Sequence, residues 1–184
     1  IASQDFLLKE LPKIHEFPVL SEEMDLSLQK SILKGENFWC IDPIDGTTNY
    51  FNGVPYFAIS VAFIKNKKPI MGIVYNPISQ ELFYAEYGKG SFLNQKKLNL
   101  SKLSNKQSLK SCLAQVDFKR LPFGMKKALM QSPPYMSQRN FGASTLEWCY
   151  LAAGRCDVYL HGSQKIWDMA AGSLILEEAG GFYS

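Results

Sequence analysis

Long apolar runs are missing from this 184-residue chain. None approaches the roughly 20 residues that a membrane-spanning helix needs. A strong charge of one sign is missing too. Twenty Lys and Arg stand against seventeen Asp and Glu, a net charge of +3. That balance offers little to a nucleic-acid backbone, so nucleic acid is not expected as a partner. The four cysteines, Cys40, Cys112, Cys149 and Cys156, have no metal-type spacing. Three sit in apolar segments, which suits reduced core thiols in a cytoplasmic protein. There is no internal repeat and no low-complexity tract. With 46% apolar residues, the chain is long enough for one sizeable core.

Against this plain background one stretch stands out, Asp42-Pro43-Ile44-Asp45-Gly46-Thr47-Thr48-Asn49-Tyr50. It follows Phe38-Trp39-Cys40-Ile41, which reads as a short buried strand. Two carboxylates leave that strand three residues apart, with Pro43 fixing the turn between them. Gly46 allows a tight fold behind Asp45. Thr47 and Thr48 offer hydroxyls and backbone N–H groups where a helix can start. Carboxylates bind hard cations and helix N-termini bind phosphate, so one loop holds both halves of a metal-dependent phosphate site. Two other readings fail on spacing. Haloacid-dehalogenase phosphatases carry Asp-x-Asp-Gly-Thr, but the nucleophile position here is Pro43. An EF-hand loop needs alternating oxygen ligands and a closing Glu, whereas position 53 is Gly.

Two further elements matter in combination. Trp167-Asp168-Met169-Ala170-Ala171-Gly172 opens an apolar helical pattern that continues to Ala179 and stops at Gly180-Gly181. Alone, Asp168 could simply answer the helix dipole. Pro18-Val19-Leu20-Ser21-Glu22-Glu23 reads as a short strand opening onto paired acids, which alone would be an ordinary solvated loop.

The remaining pattern is mixed. Helices are expected over residues 3–11 (ended by Pro12), 26–33, 46–51, 124–130 and 143–153. Strands are expected at 19–20 and 38–41. A hairpin of 57–64 and 69–75 turns at Lys65-Asn66-Lys67-Lys68, and 81–87 and 91–93 continue the meander. Residues 113–116 and 158–160 complete the strands, and the last residues, 182–184, read as the start of another. No pattern is visible over 118–124. Such an order implies layered α/β or α+β packing.

Taken together, the strand-borne Asp loop, the Trp-Asp-x-Ala-Ala-Gly segment and Glu22 resemble the inositol monophosphatase family. These are magnesium-dependent, lithium-sensitive phosphatases. The string Trp39-x-Ile41-Asp42-Pro43-Ile44-Asp45-Gly46-Thr47-Thr48-Asn49 carries the likeness, with Val74-Tyr75-Asn76-Pro77 and Gly88-Lys89-Gly90 in support. The resemblance implies an αβαβα sandwich, Mg2+ as cofactor, a small phosphorylated metabolite as substrate and a homodimer. It implies that Glu22, Asp42 and the Ile44 carbonyl hold one magnesium, and that Asp42, Asp45 and Asp168 hold a second. Thr47 would position the attacking water, so Glu22, Asp42 and Thr47 form the catalytic set. The hydroxyl of Thr47 is expected to lean on an upstream Asp that precedes Ile1. Asp45, Gly46, Thr47, Ser144, His161 and Lys165 would face the substrate. His161 stands where inositol phosphatases carry a Glu, and Lys165 could meet a second anionic group. This opens 3′(2′),5′-bisphosphate nucleotidase and fructose-1,6-bisphosphatase as alternatives to an inositol phosphatase. A catalytically silent regulator is the alternative from outside enzymology. The likeness further implies a single phosphatase domain over 1–184, with halves of about 1–110 and 111–184. Helices would precede it and a further segment would follow.

Overall fold

The computed structural model describes residues 2–102 and 108–184. Helix α1 (Ala2–Ile14) leads into β1 (Val19–Ser21), α2 (Leu26–Ile32) and β2 (Phe38–Asp45). A five-residue helix, α3 (Thr47–Phe51), follows. The meander then comprises β3 (Ala58–Lys65), β4 (Lys68–Asn76), β5 (Glu81–Glu86), β6 (Gly90–Leu93) and the short β7 (Lys96–Lys97). The second half holds β8 (Leu113–Val116), α4 (Phe123–Gln131), β9 (Ser137–Arg139), α5 (Ser144–Ala152), β10 (Val158–Leu160) and α6 (Ile166–Glu178).

The strands form two sheets. The larger runs β1 to β7 in chain order; β1 pairs parallel with β2 and every later pair is antiparallel. The smaller is all parallel, in the order β10-β8-β9.

Alternation along β2 and β3 explains how the large sheet is covered. Phe38 and Cys40 point with Ala58, Ala62 and Ile64 into one apolar cluster, shared with Leu146, Cys149, Leu174 and Ile175 of α5 and α6. Trp39 and Ile41 point the other way with Val61 and Phe63, and there Leu7, Leu8 and Leu11 of α1 cover them. A side-chain period of two thus feeds two cores from one strand. The far side of the α5–α6 layer meets β10, and the small sheet has its own cluster with Leu129 of α4. The layers are therefore α1, large sheet, α5–α6, small sheet and α4, the expected αβαβα sandwich.

Three expectations need correction. Pro12 does not end α1, which continues to Ile14 with Pro12 inside it. Burial of Leu11 against the sheet holds the last turn in place despite the lost hydrogen bond. The Asp loop is not a turn after a strand, because β2 itself runs through Asp45. The last residues, 181–184, form no strand. Among the described residues no helix is long and apolar enough to cross a membrane.

Candidate active site

The register of the large sheet assembles the acids. The parallel β1–β2 pair aligns Ser21 with Ile41, so Glu22 leaves β1 beside Asp42. Asp42 and Asp45 are three residues apart, and a regular strand would send them to opposite faces. The pairing with β3 prevents this. Asp42 faces Ser60 and Asp45 faces Ala58, so β2 spends one residue more than its partner. That bulge, at the Pro43 step, turns both carboxylates toward the helical layer. There they meet the start of α6, where Asp168 is the third residue.

The three aspartates accept from named donors, and Glu22 is held through its backbone. Asp42 Oδ1 accepts from the Ile44 amide at 3.1 Å. Asp45 Oδ2 accepts from the Thr145 amide at 2.7 Å and its hydroxyl at 2.6 Å, tying β2 to the start of α5. Asp168 Oδ2 accepts from the Lys165 amide at 2.8 Å. Gln29 of α2 donates to the carbonyls of Ser21 and Glu22 at 3.0 and 2.9 Å, fixing the backbone that presents Glu22.

Electrostatically the cluster is crowded. Burial, then Asp45, Glu22 and Asp168, push the Asp42 carboxyl well above its ordinary range. Asp45 is raised by burial although Thr145 opposes the rise. Glu22 is raised by burial, then by Asp168 and Glu23. Asp168 is raised by burial, against the pull of its hydrogen bond and of His161, Arg120 and Lys165. None of the four makes an ion pair with a described Lys or Arg. Among the described residues no three such side chains close into a ready-made ion cage. Like charges facing one another hold apart. An all-oxygen donor set of surplus negative charge suits a hard divalent cation and not a thiophilic one. The residues present therefore fit a hard divalent cation.

Gly46 follows Asp45 with φ +83°, and a Cβ there would meet Ala143 Cβ at 3.0 Å and the Tyr56 carbonyl at 3.1 Å. Only glycine fits both constraints. Thr47 begins α3, and its hydroxyl donates to the Ile44 carbonyl at 3.1 Å. That carbonyl is the oxygen expected at the first metal, and a second lone pair remains on it.

The substrate-side candidates are arranged less simply. Ser144 opens α5, and Tyr159 of β10 accepts from Gln164 at 2.9 Å. His161 follows β10, with its side chain 7% exposed; its Nε2 faces Asp117 Oδ2 at 3.5 Å and its Nδ1 accepts from the Ser163 amide at 3.2 Å. Burial lowers its pKa more than Asp117 raises it. Lys165 is exposed at the N-cap of α6. A cavity of about 940 Å3 lies behind residues 161–164, lined by Leu121, Trp148, Leu160 and Leu176. It includes none of the four carboxylates and is not the site of chemistry.

Several residues escaped the sequence reading. Thr145 anchors Asp45 from 100 positions away, a partnership no local pattern signals. Asn49 donates to the carbonyls of Tyr56 and Phe141 at 2.8 and 2.7 Å, stitching the Asp loop to the loop before α5. Glu147, 3% exposed, accepts from the amides of Phe141 and Gly142 and steadies that same loop. Asn49 stood inside the quoted string, and its polarity beside an apolar core was the available signal.

Comparisons with known proteins bear on the family and the fold. A model of the inositol monophosphatase family matches residues 2–184. The "Nus factor SuhB" of Xylella fastidiosa is 32% identical over 98% of this chain, and the match covers 65% of that protein. "Inositol monophosphatase 1" of Bos taurus is 36% identical over 95% of this chain and 64% of its own length. The crystal structure of the extragenic suppressor protein suhB from Bartonella henselae superposes with a TM-score of 0.86. It is 34% identical, and the match covers 98% of this chain and 69% of that one. The chain thus spans just under two thirds of these two curated relatives. With the family's model matched along nearly its whole length, this chain belongs to the inositol monophosphatase family.

Proposed function

We propose that this chain catalyses magnesium-dependent hydrolysis of a small phosphate monoester. The observation that carries the reading is the convergence of Glu22, Asp42, Asp45 and Asp168 from three separate segments without an ion-pairing Lys or Arg among the described residues. A family member that had lost catalysis would have no use for four acids that repel one another.

Glu22, Asp42, Asp45 and Asp168, with the Ile44 carbonyl, would hold magnesium, which when bound offsets phosphoryl charge, acidifies water and stabilises the leaving alkoxide. The protein's own contributions are positional. Asp42 sits between Glu22 and Asp45 and suits a shared ligand. The Thr47 hydroxyl, already next to Ile44, is placed to orient water. The Gly46 and Thr47 amides are free of helical partners at the start of α3 and suit phosphoryl oxygens. Ser144, Lys165 and the 161–165 loop border the leaving group. The reading extends to a phosphorylated metabolite as partner, lithium sensitivity, a cytoplasmic location and a homodimer, all on the strength of family membership.

Relatives named as Nus factors keep a regulatory role in view, but no observation on this chain favours it over catalysis. The test is phosphate release by the purified chain from a panel of phosphorylated metabolites, with magnesium and with a chelator. Release that needs magnesium and responds to lithium is expected. Silence across the panel in a folded protein rejects the reading.

A further inference from the structure

Asp45 and Asp168 reach the cluster from different elements, and each is held at the start of a different helix. The Thr145 amide and hydroxyl of α5 hold Asp45, and the Lys165 amide just ahead of α6 holds Asp168. The spacing of these two acids is therefore set by how α5 sits against α6. Close contacts fix the middle of α6. A Cβ on Gly172 would lie 2.4 Å from Trp148 Cβ, so the α6 backbone runs directly against Trp148 of α5. Toward the large sheet, a Cβ on Gly72 of β4 would lie 2.8 Å from the Ala171 carbonyl oxygen. Neither approach leaves room for a side chain.

The N-terminus of α6 needs a separate hold, because residues 161–165 join it to β10 without regular structure. Gln164 supplies one. Its Oε1 accepts from Trp148 Nε1 at 3.2 Å, and its Nε2 donates to the Tyr159 hydroxyl of β10 at 2.9 Å. Both ends of one amide are used, and a flip would set its NH2 against the indole N–H. The next residue is Lys165, whose amide meets Asp168 Oδ2 at 2.8 Å. Trp148 stands one turn after Thr145 on α5. One indole thus meets the middle of α6 at Gly172 and the loop ahead of α6 at Gln164, from the helix that holds Asp45.

We infer that Gln164 and Trp148 are positioning residues for the acid cluster. Their bond, with that of Gln164 to Tyr159, fixes Lys165 and through it the direction of the Asp168 carboxylate relative to Asp45. The inference rests on the metal-site part of the phosphatase reading and adds two residues that act on that site through others.

The test compares variants of the whole chain. Gln164→Met keeps length and bulk and removes both bonds. Trp148→Phe keeps a ring against Gly172 and removes only the indole N–H. Glu81→Gln, which takes away an ion pair to Arg155 outside this linkage, is the control. Melting curves establish that each variant folds. Magnesium Kd by calorimetry is expected to rise about tenfold in Gln164→Met, the low end of what partners that orient a metal ligand cost. Trp148→Phe should move the same way by less. The double variant should be no worse than Gln164→Met alone, as two residues acting through one bond require. The control should lose thermal stability and keep its Kd. A second readout needs no metal. Exchange of the Lys165 amide, measured by NMR relative to the Thr145 amide, should quicken about tenfold in Gln164→Met and not in the control. The inference is overturned by a wild-type Kd in Gln164→Met, or in Trp148→Phe if only that variant folds. Additive losses in the double variant or an unmoved exchange ratio overturn it too. If wild type binds no magnesium, the phosphatase reading fails, while the exchange ratio still decides what Gln164 positions.

Discussion

At residue scale the chemistry hangs on an extra residue in β2. The bulge at Pro43 brings Asp42 and Asp45 to one face, and Gly46 turns the chain away at once in a left-handed conformation. Two substitutions separate these roles. Asp42→Asn keeps the shape and removes the charge that burial and three neighbouring acids already disfavour. It should abolish magnesium-dependent turnover while leaving the metal-free melting temperature unchanged or higher. Residual activity above about a tenth of wild type, a loss under roughly 1.4 kcal/mol in the barrier, would remove Asp42 from the shared-ligand position. Gly46→Ala acts through geometry instead. The new Cβ must tolerate φ +83° and contacts of 3.0 and 3.1 Å with Ala143 and the Tyr56 carbonyl. A cost of about 1–3 kcal/mol is expected, read from chemical denaturation, with activity falling further because Asp45 and Thr47 flank the strained residue. An alanine variant as stable as wild type would show that the loop has another way to turn.

Among the elements, the structure bears out most clearly those whose signals were local. The β3–β4 hairpin was readable because apolar, β-branched runs flank the Lys65–Lys68 turn, in which Asn66 and Lys67 both adopt positive φ as a two-residue hairpin turn requires. Helices α5 and α6 announced themselves by apolar periodicity. The two-residue β7 and three-residue β9 were invisible, since pairs such as Lys96-Lys97 gain strand structure only from a neighbour's edge. Pro12 misled because local preference was overruled by packing of Leu11. Nothing local marked Arg155 either, which joins the halves by reaching from the α5–β10 turn to Glu81 of β5. It bonds Glu81 with both terminal nitrogens and stacks over Tyr150, 4.6 Å from the ring centre. The hydrogen bonds of Arg155 hold the Glu81 carboxyl below its ordinary value. A carboxyl lowered by folding stabilises above its unfolded pKa, and that stability is lost as pH falls through the folded value. Glu81→Gln should therefore cost about 1–2 kcal/mol near neutral pH, and the gap from wild type should close below about pH 4. A gap that stays constant with pH would mean that packing, not charge, is what Glu81 supplies.

For the molecule as a whole, the sequence could say that acids would meet but not what would hold them. Glu22, the Asp loop and Asp168 were legible as separate strings; the hold of Thr145 on Asp45 and of Asn49 on the Phe141 carbonyl was not, because those partners are 100 and 92 positions apart in the chain. The five layers bring three segments to one point, and their summed charge opposes that arrangement. Folding without metal therefore works against repulsion at the centre of the sandwich, and a cation bound only by the folded state should relieve it. By mass action, magnesium at a hundredfold excess over its Kd adds about 2.7 kcal/mol. For a domain of this size that amounts to a rise of roughly 5–11 °C in Tm. The rise should vanish on chelation. It should be much reduced in Asp168→Asn, which draws on a different layer from Asp42 yet serves the same cluster. An equal magnesium shift in wild type and Asp168→Asn would place the ion elsewhere. The absence of any shift in wild type would mean that this chain does not form the metal site its acids outline.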